Sequence, residues 1–153
     1  MRCLIDVAAV LLAALVAGTT FGILFGYNPA GISGPAYVEV QQGAIRGLNV
    51  LIPALAALCI LLVLLDAWLS RAARGRMVLL LLAACALIAA GLITRLGNQP
   101  INAIVASWNA HSPPPEWEAL RDQWWHWHAI RTWIALLGLA LLVIATRMKA
   151  ARD

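Results

Sequence analysis

The sequence predicts an all-α membrane protein, a four-helix transmembrane bundle with a short interfacial helix between spans three and four. Three observations carry this. Apolar stretches occupy about 4–25, 48–69, 77–96 and 129–146, each close to the roughly 20 residues that one crossing of a bilayer needs. The chain of 153 residues is 63% hydrophobic and only 12% charged, far too apolar for a water-soluble chain of that length. The stretches also lack the alternation of barrel strands, so helices alone can satisfy a lipid-facing backbone. A single domain over 1–153 suffices.

The basic residues report topology. Arg2, Arg71, Arg74, Arg76, Arg147, Lys149 and Arg152 fall at one membrane face if the spans alternate, whereas Arg46, Arg95, Arg121 and Arg131 fall at or near the other. The excess of positive charge on cytoplasmic loops then puts both termini in the cytoplasm, as expected for a bacterial inner-membrane protein. A nucleic-acid partner is not expected from the net charge of +4, because no basic stripe interleaved with aromatics lies on the cytoplasmic side.

The first span opens with Arg2 before an apolar run, like a secretory signal. It continues through Phe21, Ile23, Leu24 and Phe25, too far for a signal's short apolar region. Ala14, Gly18, Gly22 and Gly26 recur every four residues and leave one helix face nearly bare. Such a face lets a helix approach closely, either within the bundle or from a second copy, so a homo-oligomer through Gly18, Gly22 and Gly26 stays open. Asp6 and Asp66 lie near the cytoplasmic ends, within reach of water or the arginines, and read as structural. Cys3, Cys59 and Cys85 form no CxxC, and none lies in an extracytoplasmic segment. That removes thiol oxidoreductase chemistry and leaves helix packing.

Tyr27, Asn28, Pro29, Gly31, Gly34 and Pro35 make a turn, and residues 36–53 follow as a helix entering the second span. Glu39, Gln42, Arg46, Asn49 and Pro53 recur at spacings of three and four, a polar stripe descending toward the membrane. Pro53 is expected to kink that helix. Polar groups so deep need partners, and Gln42, Arg46 and Asn49 become candidate substrate-binding residues.

Residues 94–133 are the most distinctive segment. Ile101, Ile104, Val105 and Trp108 form an apolar stripe at helical spacing, expected to lie in the interface as a lid over the bundle mouth. Pro113, Pro114 and Pro115 stop that helix, and Glu116 and Glu118 suit the first turn of the last one. Trp117, Arg121, Trp124, His128, Arg131 and Thr132 then fall on one face of it. Two arginines and an imidazole are costly to bury unless paired, so the row predicts a pocket toward the extracytoplasmic end, shared with the second helix and Asn98. A plain interfacial tryptophan belt is the alternative. His126 and His128 project about 200° apart on a helix and cannot share one ion, so no metal is expected. Haem bound by a histidine has no signature here and stays open.

The runs NQPINAIVASWN and YVEVQQGAIRGLNVLIP, with the P-x-W-x-x-x-R-x-x-W-x-x-x-H-x-x-R pattern over 115–131, resemble the anthrone oxygenase (DUF1772) family. The resemblance covers nearly the whole chain in layout, and Asn98, Pro100, Asn102, Trp108, Trp117, Arg121, Trp124, His128 and Arg131 match its motif. It implies oxidation of an anthrone-type polycyclic phenol to a quinone by O2, without metal or flavin. In that scheme His128 would act as base, since its unperturbed pKa lies near neutral. Arg121 or Arg131 would stabilise the oxyanion, and Trp117 and Trp124 would offer flat faces to the ring. Asn98, Asn102 and Trp108 join the candidate substrate-binding set, and no cofactor is implied. A non-catalytic module binding a lipid, quinone or haem, and a purely structural interaction protein, are the other two readings.

Overall fold

The computed structural model describes residues 2–148, all of its regular elements helical. They are α1 (Arg2–Gly26), a 3-10 turn (Pro29–Gly31), α2 (Gly34–Leu48), α3 (Leu51–Leu69), α4 (Arg74–Ile93), a π-helical turn (Thr94–Asn98), α5 (Gln99–Ala106) and α6 (Trp117–Arg147). Four helical stretches are long and apolar enough to cross a membrane: Arg2–Gly31, Leu51–Leu69, Arg74–Ala106 and Trp117–Arg147. α1 packs on α3 and α6, and α4 packs on the same two, closing a ring of four helices. Small residues make this possible. Ala9, Ala13, Ala83, Ala84 and Ala145 are buried at the seams, where close backbone approach replaces the hydrophobic drive that lipid cannot supply. A β-carbon on Gly138 would meet Leu87 Cδ2 at 3.1 Å, so α4 and α6 touch there because the residue is glycine.

One end of the ring is tied by a buried ion cluster. Arg76 Nη2 lies 2.7 Å from both Asp6 Oδ1 and Asp66 Oδ2, Nε donates to Ser70 Oγ, and Nη1 donates to the Ala145 carbonyl. Arg2 donates to the Leu69 carbonyl 2.6 Å away. The start of α1, the α3–α4 turn and the end of α6 therefore meet at one end, the arrangement that four alternating spans require. Removing the arginine would leave the buried Asp66 and the half-buried Asp6 carboxylates uncompensated. Arg76→Met is accordingly expected to cost about 3–5 kcal/mol, read as a lower unfolding temperature in detergent, and unchanged thermal unfolding would contradict the cluster's role.

The opposite end carries α2 and α5, which pack on each other. Two prolines shape it. The helix expected over 36–53 breaks at Asn49 and Val50, so α3 starts at Leu51, not Leu48. Pro53 has no N–H to offer the Asn49 carbonyl, and a break one turn upstream removes that demand. Pro100 likewise cannot donate to the Leu96 carbonyl. The preceding turn widens to π geometry, with the Gln99 N–H reaching back to the Thr94 carbonyl. The short helix between spans three and four is thus α5, joined directly to α4 through the π turn; Ile101 and Val105 of its stripe are buried, Trp108 is half-buried and Ile104 is exposed. Gly97 in this turn lies under Trp127, whose ring would sit 2.7 Å from an added β-carbon.

The glycine face of α1 does not pack within the ring. Ala14, Gly18, Gly22 and Gly26 are exposed, and a β-carbon on any of the three glycines would meet nothing within 4 Å. The inward face of α1 is carried by Ala9, Ala13, Val16, Ala17 and Thr20 instead.

Candidate functional site

Two adjoining cavities of about 230 and 220 Å³ lie between the helices. They share Thr20, Ile52, Pro53, Thr94 and Arg131 in their walls. The first runs between α3 and α4 and is lined chiefly by aliphatic and small residues such as Ile60, Leu87, Ala90 and Ala135. The second lies under α2 and adds Tyr27, Gln41, Asn49, Asn102 and Trp124. Each alone is smaller than a usual small-molecule pocket, and together they reach its lower range.

Arg131 stands where the cavities meet. Its Nε and Nη2 lie 3.2 and 2.8 Å from His128 Nδ1, and its Nη1 donates to Thr94 Oγ1 at 3.0 Å. Arginine only donates, so His128 Nδ1 must accept. The imidazole is then neutral and carries its proton on Nε2, which donates to the Thr20 carbonyl at 3.0 Å. Trp124 stacks flat on the same ring, centroids 4.8 Å apart and planes 7° from parallel. His128 is fully buried and lines neither cavity. Both nitrogens are engaged, so the expectation of His128 as a base facing substrate does not match this arrangement: the ring is the prop behind Arg131. Among the described residues no carboxylate pairs with Arg131, which leaves its charge to be answered from the cavity side.

A second polar network walls the α2 cavity. Asn102 Oδ1 accepts from Trp124 Nε1 at 2.8 Å and from Gln41 Nε2 at 3.1 Å, while its Nδ2 donates to Asn49 Oδ1 at 3.0 Å. Asn98 Nδ2 fixes the backbone behind Trp124 by donating to its carbonyl at 3.0 Å. Two buried atoms on this wall have no partner, Tyr27 Oη and Gln41 Oε1. Unpaired buried polar groups are costly, and a ligand offering one donor and one acceptor would satisfy both.

The remaining candidates lie elsewhere. Gln42 caps the end of α5, donating to the carbonyls of Val105 and Trp108 at 3.1 and 2.9 Å. Arg46 is exposed and lines neither cavity, a correction to the polar stripe. Tyr37, Val38, Gln41, Ile45 and Leu48 set the inward face of α2, because burying Tyr37 and Val38 outweighs aiming a charge inward. Arg121 also misses the cavities; it lies 4.9 Å over Trp117 and pairs with Asp122 at 2.8 Å, and the Tyr37 ring lies 5.7 Å from that of Trp117, tilted by 33°. Burial holds the Tyr37 phenol above its ordinary range and therefore neutral. Trp108, Trp117 and Asn98 support the site from behind, while Asn49, Asn102, Trp124 and Arg131 line it. Sequence reading missed Thr20, Tyr27, Gln41 and Thr94. Gln41 had a signal, its position four residues after Tyr37; the threonines had none.

The family model described as anthrone oxygenase matches residues 42–141, about two thirds of the chain. The chain belongs to the anthrone oxygenase family. The matched stretch contains Asn49, Thr94, Asn98, Asn102, Trp124, His128 and Arg131, and leaves out Thr20 of α1, Tyr27 and Gln41. Neither a curated protein nor a solved structure matches the chain.

Proposed function

We propose that this family member oxidises an anthrone-type polycyclic phenol with O2 in the cavity under α2. The observation that carries this reading is Arg131, a cation without a carboxylate partner among the described residues, held by His128 and Thr94 in the wall of both cavities. An anthrone is a carbon acid whose ionisation puts negative charge on its ring oxygen. A guanidinium fixed beside that oxygen stabilises the enolate more than the neutral ketone, which lowers the barrier to ionisation. The proton leaves the methylene carbon for water at the cavity mouth. The electron-rich carbon then adds O2 to give a peroxide anion, which takes the proton back from water as a hydroperoxide, and loss of the second C–H proton with cleavage of the O–O bond releases water and leaves the carbonyl. One O2 is consumed and one water formed per quinone.

Trp124, Asn49, Asn102, Gln41 and Tyr27 would hold the ring and its oxygens, with flat aromatic contact from the indole. The enolate reacts with O2 directly, so the proposal needs no metal, flavin or haem. The test is O2 uptake and quinone formation by detergent-purified protein given an anthrone, with the visible absorption spectrum recorded on the same sample. Equal oxidation with and without protein would overturn the assignment, and a Soret band would overturn its cofactor-free form. A non-catalytic module binding a quinone or phenol is the second reading, favoured by cavity walls that hold no carboxylate; it predicts binding without turnover.

The seven-to-four split of basic residues supports a cytoplasmic location for the end tied by Arg76, and hence an extracytoplasmic one for the cavity under α2. Ser33 and Ser112 are exposed at the latter end. With the native cysteines replaced, Ser33→Cys and Ser112→Cys are expected to react with an impermeant maleimide in intact cells. Labelling only after permeabilisation would reverse the orientation.

A further inference from the structure

Both cavities have mainly apolar walls, and the polar side chains of the α3–α4 cavity, Thr94, Arg95, Gln99 and Arg131, lie toward the end it shares with the cavity under α2. Under α2, Tyr27 Oη and Gln41 Oε1 lack partners. Away from Thr94, Arg95, Gln99 and Arg131 the walls of the α3–α4 cavity are apolar, with Val16, Ala56, Ile60, Leu87, Ala90 and Ala135. On α3 the lining runs from Ile52 to Ile60, and on α4 and its continuation from Leu87 to Arg95, each eight residues or about 12 Å along a helix axis. The cavity is therefore a slot parallel to the helices, long in one direction and bounded by small residues. Its side is open: Ala57 and Gly91 are exposed at its lip, and a β-carbon on Gly91 would meet nothing within 4 Å. In a membrane that opening faces acyl chains, so matter of the same kind can enter it without crossing water.

Shape and polarity together point to an elongated ligand. We propose that the α3–α4 slot is a tail subsite, taking an unbranched hydrocarbon chain attached to the oxygenated ring that lies under α2, with Arg131 at the join. This rests on the proposed function for the ring and adds the chain: the preferred substrate class is a ring-and-tail phenol drawn sideways from the bilayer. A bare ring leaves the slot unfilled. Chain transfer from lipid to protein yields little hydrophobic gain, so the subsite contributes by holding the ring in register and by excluding water from the far side of Arg131.

The experiment uses the full chain in lipid nanodiscs and two photoaffinity probes, independent of turnover. One is an octyl-substituted anthrone with a diazirine at the chain terminus; the other is a tail-less anthrone with the diazirine on the ring. The chain-end probe is expected to label peptides containing Val16, Ile60, Leu87 or Ala135. Gly91→Leu, which adds bulk at the lip, is expected to lower that labelling about tenfold, because a chain entering the slot would then have to pack against the added side chain. Ala57→Leu provides the same obstruction from α3 should the first variant not fold. Chain-end labels confined to lipid-facing positions such as Leu61 or Leu92, or labelling of the slot unaffected by both variants, would overturn the tail subsite. The ring probe judges the other reading separately: labelling at Gln41 or Asn102 supports the ring site, and its absence counts against that site whatever the chain-end probe reports.

Discussion

Arg131→Gln is expected to slow anthrone oxidation by about 10²–10³-fold, the usual cost of removing a preorganised donor to a developing oxyanion. The reasoning is electrostatic. The guanidinium lies in the walls of both cavities, and among the described residues its side-chain partners are a neutral imidazole, a hydroxyl and, at 5.9 Å, the Trp124 ring. With no carboxylate beside it among the described residues, its charge is available to the enolate in a site where low polarity strengthens it. Glutamine keeps a donor to His128 and much of the volume while removing the charge. Arg131→Lys is expected to recover only part of the loss, because one ammonium cannot hold His128 and Thr94 in the fork geometry and still face the cavity. Rates of O2 uptake and quinone formation on folding-matched variants decide the matter. A Gln variant as fast as wild type would remove Arg131 from the chemistry.

His128 gives the second large effect and separates two roles for the ring. As the prop behind Arg131 it must accept at one nitrogen and donate at the other, to the Thr20 carbonyl. His128→Phe keeps the flat stack on Trp124 and loses both bonds, and the freed guanidinium is expected to cost about 10²-fold, the scale of a misplacement near 1 Å. His128→Gln offers an amide oxygen to Arg131 and an amide N–H to Thr20, and is expected to return activity to within about tenfold of wild type. A general base would behave otherwise: Phe and Gln would fail alike, and the pH–rate profile would lose the limb set by the imidazole. His126, exposed on another side of α6, is expected to tolerate alanine.

The all-helical fold, the four membrane-length helices and the inward row on α6 were legible in the sequence because each rests on a repeated pattern, whereas the separation of α2 from α3 was not. Arg121, Trp124, His128 and Thr132 are all buried, at the helical spacing that grouped them. What one row cannot reveal is which members meet a cavity and which meet a neighbouring helix. Arg121 goes to Trp117 and Arg131 goes to the cavities, a difference set by packing against α2, α1 and the π turn. The phase of α2 was misread because its polar stripe was taken as the inward face, whereas Tyr37 and Val38 take that place. Thr20 and Thr94 enter through a backbone carbonyl and a hydroxyl. No residue-type pattern announces a carbonyl, so the support behind His128 had to come from three-dimensional structure.

The most direct measurement is an experimental structure of the protein with an anthraquinone bound, determined in lipid. The account predicts the ring system under α2 against Trp124, with one ring oxygen within hydrogen-bond distance of the Arg131 guanidinium and another near Tyr27 or Gln41. A ring bound on the lipid-facing surface, or in the cavity with no oxygen near Arg131, would contradict it.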